Sequence, residues 1–326
     1  MSDALLAAYD AVLFDLDGTV YHGTRVIPGA PETVRAAREH GTPVRFVTNN
    51  ASKAPGEVVA HLTGLGMPAG TDEVHTSAQA GVQLLKERLD AGAEVLVVGT
   101  ESLAAEVAGA GLKPVRENAP SVQAVVQGHS PDNTWAALAE ACLAIRAGAL
   151  WVACNVDATL PSERGLLPGN GSMVAALRTA TDVEPLVAGK PQSLLFETAA
   201  RSAGAEKPLV VGDRLDTDIA GAVAAGIDSL VVLSGVATPK QLIEAIPAER
   251  GTYLAKDLTA LTERAEDLRI GPRPGWTVTV ENGTLTAEGD GDELDLLRAL
   301  CHTATMRWPT VITEPIVSSH SATSSA

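Results

Sequence analysis

The 326-residue chain has few aromatic side chains, few cysteines and little positive charge. Phe, Trp and Tyr make up 3% of it, while Ala, Val, Leu and Gly are abundant, an ordinary balance for an α/β protein. The three cysteines, Cys142, Cys154 and Cys301, are far apart and form no C-x-x-C pair. That spacing excludes a disulfide framework and a zinc knuckle, and it fits a reducing compartment. The seven histidines show no pair at metal-ligand spacing. Lys and Arg number 24 against 40 Asp and Glu, a formal net charge of −16. Such a surface repels nucleic acid and anionic membranes, so neither is an expected partner. No apolar run is long enough to cross a bilayer, and "MSDALLAAYDAV" lacks the basic start of a signal peptide. The expected location is cytoplasmic. An anionic small substrate stays open, because a metal ion and a few local cations can reverse the field inside one pocket.

What the chain does have is alternation. Seven short apolar runs are separated by helix-like stretches: Ala11–Phe14, Val44–Val47, Glu94–Val98, Ala124–Gln127, Leu150–Ala153, Pro208–Val211 and Ser229–Leu233. Near-continuous apolar strands of this kind lie in parallel sheets covered on both faces. Between them, "PGAPETVRAAREHG" and "ASKAPGEVVAHLTGLG" read as helices that open near Pro and close on Gly. Seven such units are too many for one compact sheet, so two α/β domains are expected. After about residue 270 the pattern changes. "GPRPG" reads as a linker, "WTVTVENGTLTAE" as a hairpin about an Asn-Gly turn, and "DELDLLRALCHTATMRW" as an amphipathic helix. Residues 271–316 are therefore expected to form a ββα appendage, and 317–326 a disordered tail.

Ligands of open α/β sheets bind beyond the carboxyl ends of the strands. Three such ends are polar here: Asp15 and Asp17 after the first strand, Thr48, Asn49 and Asn50 after the second, and "GDRLDTD", Gly212 to Asp218, after "PLVV". Lys190 precedes Pro191, a residue suited to opening a helix. Carboxylates crowded at one edge resist joint ionisation unless a cation holds them. Mg²⁺ answers that need, since it takes oxygen ligands and keeps waters that a phosphate can replace. One carboxylate can then attack phosphorus while the other moves a proton, with Lys190 and Thr48 on the non-bridging oxygens. Asp213 is a further metal ligand in this reading.

"DLDGTVYHG", "VTNN", "GKPQ" and "VGDRLDTDIAGAVAAG", in that order, resemble the haloacid-dehalogenase-like hydrolases, and more narrowly the NagD-like phosphatases with a large α/β cap. The resemblance implies a Rossmann-like parallel-sheet core from residues 1–77 and 188–270, with the cap inserted at 78–187. It implies Asp15 as nucleophile, Asp17 as general acid and base, and Thr48 and Lys190 as phosphate ligands. Mg²⁺ would sit on Asp15, Asp213 and the backbone carbonyl of Asp17, with Asp218 supporting it from behind. Asn49 and Asn50 match backbone or side-chain contacts to the phosphate pocket. An aspartate at position 17 resembles phosphatases rather than dehalogenases or transport ATPases.

Within the cap, "ACNVDATLPSERGLLPGNGSM" matches the family's substrate-specificity loop, which places Asn155, Asp157, Thr159 and Leu160 near the leaving group. A capped phosphatase followed by a short ββα piece is similar to actinobacterial glycerol 3-phosphate phosphatases, whose tail resembles an acetyltransferase fragment. Glycerol 3-phosphate is therefore the expected substrate. Phosphoglycolate, a sugar phosphate or a nucleotide monophosphate are the alternatives, and a non-catalytic sensor of phosphorylated metabolites is the reading from another class. A cap that closes on hinges near residues 77 and 188 is expected, as is a homodimer formed through the caps. Other residues have blander readings: Trp135 and Met173 as core, His129 as surface or structural, and Asp216 as a loop residue. His22 is kept as a candidate for its closeness to the first motif.

Overall fold

The computed structural model describes residues 3–162, 164–281 and 284–307. All seven apolar runs are strands, and they divide between two parallel sheets. The first sheet runs Tyr253–Ala255, Asp228–Val232, Pro208–Gly212, Ala11–Phe14, Val44–Thr48, Val74–Thr76, with every neighbour parallel. The second runs Leu186–Val187, Leu150–Ala153, Val122–Gln127, Glu94–Val98, Lys113–Val115, again all parallel. The first sheet takes its strands from both sides of the stretch that builds the second.

Alternation of side chains along a strand decides what covers each face. Val12 and Phe14 face one way with Phe46, Leu209 and Val211, beneath Val34 and Ala37 of the Ala30–Glu39 helix. Leu13, Val47 and Val210 face the other way, against Phe196 and Ala199 of the Leu194–Ala203 helix. That second cluster continues without a break through Ala78, Val82 and Leu85 of the Ser77–Lys86 helix to Val95 and Val97 of the second sheet. The two sheets thus share buried surface and do not hang on the crossing strands alone. Each large apolar side chain so buried contributes roughly 1.5–3 kcal/mol.

The hairpin of the C-terminal piece pairs Trp276–Glu281 with Thr284–Gly289, and the helix Glu293–Arg307 follows. The Asn282–Gly283 turn, residues 308–316 and the 317–326 tail lie outside the described residues. Leu297, Leu300, Cys301 and Ala304 repeat at helical spacing and pack with Leu285, Ala287, Leu254, Leu215 and Ile219. Arg298, 6% exposed, donates from Nε (3.0 Å) and Nη2 (2.8 Å) to the carbonyl of Leu254 and from Nη1 to Asp295 (2.7 Å). The appendage thereby covers the edge strand Tyr253–Ala255, which would otherwise offer unpaired backbone.

Two sequence expectations fail locally. Trp135 is 83% exposed rather than core. It stands in the first turn of the Trp135–Arg146 helix, whose buried face belongs to Ala141, Ala144 and Ile145. Met173 is half-buried. Nor does Pro191 open a helix. The Lys190–Pro191 peptide is cis, Gln192 N–H closes a turn on Gly189 O (3.0 Å), and the helix begins at Leu194.

Candidate active site

The carboxyl ends of the first sheet's central strands meet as the sequence requires. Asp15 follows the Ala11–Phe14 strand and Asp213 the Pro208–Gly212 strand, which is its direct neighbour. Asp218 returns to the same place from a single turn of π-helix over Leu215–Ile219. One carboxylate oxygen from each of Asp15, Asp213 and Asp218 lies within 4.8 Å of the others. All three side chains are buried. Lys190, 2% exposed, reaches into this group from the turn before the Leu194 helix. Its Nζ donates to Asp15 Oδ1 at 2.5 Å, Asp218 Oδ1 at 2.6 Å and the Val47 carbonyl at 3.4 Å.

The electrostatics follow from burial. Loss of water, together with Asp218 and Asp213, pushes the Asp15 carboxyl well above the usual range, with Lys190 acting against them. Burial and Asp218 push Asp213 up to about 6, although Val236 N–H donates to its Oδ2 at 2.7 Å. Burial acts to lower the Lys190 ammonium, and Asp15 and Asp218 more than reverse it, so the lysine is held firmly charged. One cation among three acids leaves the cluster short of positive charge. Asp218 accepts from Lys190 and, through Oδ2, from the backbone N–H of Arg214 (3.0 Å). Glycine is required beside Asp213: a Cβ on Gly18, which sits at φ 99°, or on Gly235 would run into its carboxylate.

Around this cluster lies a cavity of about 500 Å³ between the two sheets. Asp15, Asp17, Thr48, Asn49, Asn50, Asn155, Asp157, Thr159, Leu160, Lys190 and Asp218 line it, while Asp213 lies fully buried beneath it in the acidic cluster. They are not equally available. The Asp17 side chain is 55% exposed, 3.9 Å from His22, outside the acidic triad. The Thr48 hydroxyl accepts from Asn50 N–H (3.1 Å), and Asn50 Oδ1 accepts from Ser52 N–H (2.7 Å). The Asn49 side-chain amide is occupied by the Lys190 backbone and Asp157. Asn155 lines the cavity but is 5% exposed, and its Nδ2 donates to the Asn49 carbonyl (2.7 Å).

Tyr21, His129, Pro131 and Arg214 also line the cavity. Reading His129 as surface or structural missed that placement. The signal was available, since His129 lies just beyond the carboxyl end of the Val122–Gln127 strand. Arg214 and Tyr21 stand inside motifs already recognised, each beside the acid that drew attention. Asp216, expected in a loop, lies in the π-helical turn and pairs with Arg214 at 2.9 Å on its exposed side.

Residues 12–113 match the haloacid dehalogenase-like hydrolase family, and residues 187–261 the HAD-hydrolase-like family. A D-glycerol 3-phosphate phosphatase of Mycobacterium tuberculosis is 52% identical over 291 residues, 89% of this chain and 82% of that protein. The chain belongs to the haloacid dehalogenase-like hydrolases. Among other members, the 5'-nucleotidase YutF of Bacillus subtilis is 38% identical over 78% of this chain and 98% of its own length. A crystal structure of a glycerol phosphate phosphatase from Mycobacterium tuberculosis in complex with magnesium superposes with a TM-score of 0.91 at 48% identity, covering 97% of this chain and 95% of that one. This hydrolase is a phosphatase of the NagD-like branch, and its C-terminal residues 273–308 match a GCN5-related N-acetyltransferase like domain. Its cofactor is Mg²⁺, and the site fits that ion: hard carboxylate oxygens converge, and their charge exceeds what Lys190 alone offsets.

Proposed function

We propose that the chain hydrolyses small phosphate monoesters, glycerol 3-phosphate foremost, through a phosphoryl group carried on Asp15. The observation that supports it is the setting of Asp15: a buried carboxylate on a rigid strand end, gripped by Lys190 at 2.5 Å, at the floor of a cavity sized for a small metabolite. Asp15 forms a bond to phosphorus as the ester bond to the leaving oxygen breaks. Asp17, reaching into the cavity from two residues on, gives its proton to the departing alkoxide and later takes one from the attacking water. That water releases Asp15 and inorganic phosphate. Lys190 and the Thr48 hydroxyl hold non-bridging oxygens throughout. Asp15, Asp213 and the Asp17 carbonyl hold Mg²⁺, which supplies charge neutralisation and alignment of the phosphoryl group. Asp218 anchors Lys190 and stays off the metal.

Glycerol 3-phosphate is favoured by the relatives and by the cavity, whose cap side carries Asp157, Thr159 and Leu160. A panel of phosphate esters, ranked by kcat/KM with Mg²⁺, tests this. Glycerol 3-phosphate is expected to lead by about tenfold or more, and EDTA is expected to abolish turnover. Glycerol 3-phosphate trailing phosphoglycolate, sugar phosphates or nucleotides would overturn the substrate. Metal-independent turnover would overturn the mechanism.

Residues 1–77 with 188–270 form the catalytic unit in this reading, 78–187 the cap and 271–316 a stabilising cover. The homodimer runs through the caps, supported by the apolar stripe that Trp135 and Leu143 (54% exposed) leave on one cap helix. Trp135→Ser is expected to shift sedimentation from dimer to monomer. A wild-type chain that sediments as a monomer removes the proposal.

A further inference from the structure

Both chain crossings between the sheets meet at one residue, Asn49. The strand Val44–Thr48 ends just before Asn49, and the carbonyl of Asn49 accepts from Ser77 Oγ (2.6 Å) at the first crossing and from Asn155 Nδ2 (2.7 Å) in the cap. Its side chain does more. Oδ1 accepts from the backbone N–H of Lys190 (2.8 Å), and Nδ2 donates to the carbonyl of the same residue (3.0 Å). One amide therefore clamps both backbone polar groups of Lys190 at the second crossing. The remaining Nδ2 proton goes to the Asp157 carboxylate, at 3.1 Å to Oδ1 and 3.3 Å to Oδ2. Asp157 makes no hydrogen bond to Lys190.

We propose that Asn49 is a positioning residue that couples the seating of the cap to the placement of Lys190. When Asp157 of the cap accepts from Nδ2, the amide plane is fixed. Fixing that plane aims Oδ1 and the second N–H at the Lys190 backbone. The Lys190 ammonium then lies on Asp15 and Asp218. With the cap away, the amide loses its third bond, and the Lys190 backbone is held less firmly. Lysine in register thus accompanies a seated cap. An asparagine suits the task because it offers two donors and an acceptor in one rigid plane, whereas Asp lacks the donors and Ser the reach. The inference rests on the role given to Lys190 above.

Two measurements test it, and one is independent of catalysis. Hydrogen exchange of the full-length chain reads the Lys190 N–H directly, in the peptide spanning 188–193. Asn49→Ala is expected to speed it. Asp157→Ala, which touches neither the N–H nor the carbonyl of Lys190, is expected to speed it by about fivefold or more. Wild-type exchange at 188–193 in Asp157→Ala would overturn the coupling, whatever the enzyme's substrate proves to be. The second measurement is a reciprocal exchange assayed on glycerol 3-phosphate with Mg²⁺. Asn49→Asp sets a carboxylate against Asp157 and against the Lys190 carbonyl, and kcat is expected to fall about 100-fold with a smaller change in KM. Adding Asp157→Asn restores a donor between the two positions, and kcat is expected to recover about tenfold. Losses that simply multiply in the double variant would overturn the proposal, since a purely structural asparagine gives no such rescue. Inactivity of the wild type on every ester would instead strike the functional reading and leave the exchange result to stand alone.

Discussion

Asp15→Asn should lower kcat on glycerol 3-phosphate by on the order of 10⁴- to 10⁶-fold, the scale on which removal of a nucleophile acts in enzymes that use one covalently. The replacement is nearly isosteric, so the strand end keeps its shape, but the amide has no anionic oxygen to bond to phosphorus. Fold and activity should separate cleanly. Burial and the neighbouring acids hold the Asp15 carboxyl well above its usual range, so its charge opposes folding in the metal-free protein. Removing that charge should leave the EDTA-treated variant as stable as wild type at neutral pH, or more so. Steady-state turnover beside thermal melts of both proteins in EDTA checks the pair of expectations. A variant that keeps more than about 1% of kcat would deny Asp15 the attacking role. An inactive variant that has also lost its cooperative melt would show the residue to be needed for the fold.

What the bare sequence made visible follows a physical rule. The seven apolar runs are the seven interior strands of the two sheets, each paired on both sides. Their burial on both faces forces continuous apolar residues, as in Pro208–Gly212, where every position is buried. Within the two parallel sheets, the four strands that went unread are the four edges: Val74–Thr76, Tyr253–Ala255, Lys113–Val115 and Leu186–Val187. Each is two or three residues long, paired on one side only, and "KPV" or "VHT" carries no run to notice. The edge Tyr253–Ala255 is completed by Arg298, more than forty residues away in sequence. No local pattern announces such a contact.

The site divides in the same manner. The placement of Asp15, Thr48, Lys190, Asp213 and Asp218 was legible because each sits in a short motif near a strand end, where chemistry and topology coincide. Three further positions show their type more readily than their role. Asn49, at the end of a first-sheet strand, and Asn155 and Asp157, from the inserted segment, line the cavity as ligands would, yet each also bonds within the protein. Whether an amide faces a substrate or a backbone depends on how two separately built sheets come to rest against each other. Asn155 was claimed by a carbonyl, Asn49 by the Lys190 backbone and by Asp157. Trp135 failed for a related reason. Its bulk suggested core, but the buried face of its helix had already been assigned to smaller residues.

Lys190→Met carries the second large effect, on both catalysis and stability. Lys190 is the only cation bonded to Asp15 and Asp218 among the described residues, and methionine matches its length without its charge. With phosphate and nucleophile both losing their partner, kcat should fall by about 10³-fold or more. Stability in EDTA should fall too, because taking away one partner of a buried ion cluster costs about 3–5 kcal/mol. The loss depends on pH, and its sign is fixed by the neighbours. Asp15 is held above the usual carboxylate range, and Asp213 at about 6, with Lys190 lowering both. A raised carboxylate keeps its proton in the folded state after the unfolded chain has lost it. Stability therefore drops as pH climbs from the unfolded value, about 4, to the folded one, and stays low above it. Without Lys190 the folded values move higher, so that fall continues past pH 6 in the variant. Denaturant unfolding in EDTA at pH 5 and pH 7.5 should show the variant's deficit small at the lower pH and large at the higher. Mg²⁺ should recover part of it at pH 7.5, since the ion needs the carboxylates deprotonated and restores positive charge among them. A deficit that is equal at both pH values, or larger at pH 5, would mean that Lys190 does not balance this cluster and that its link to Asp15 is incidental to the fold.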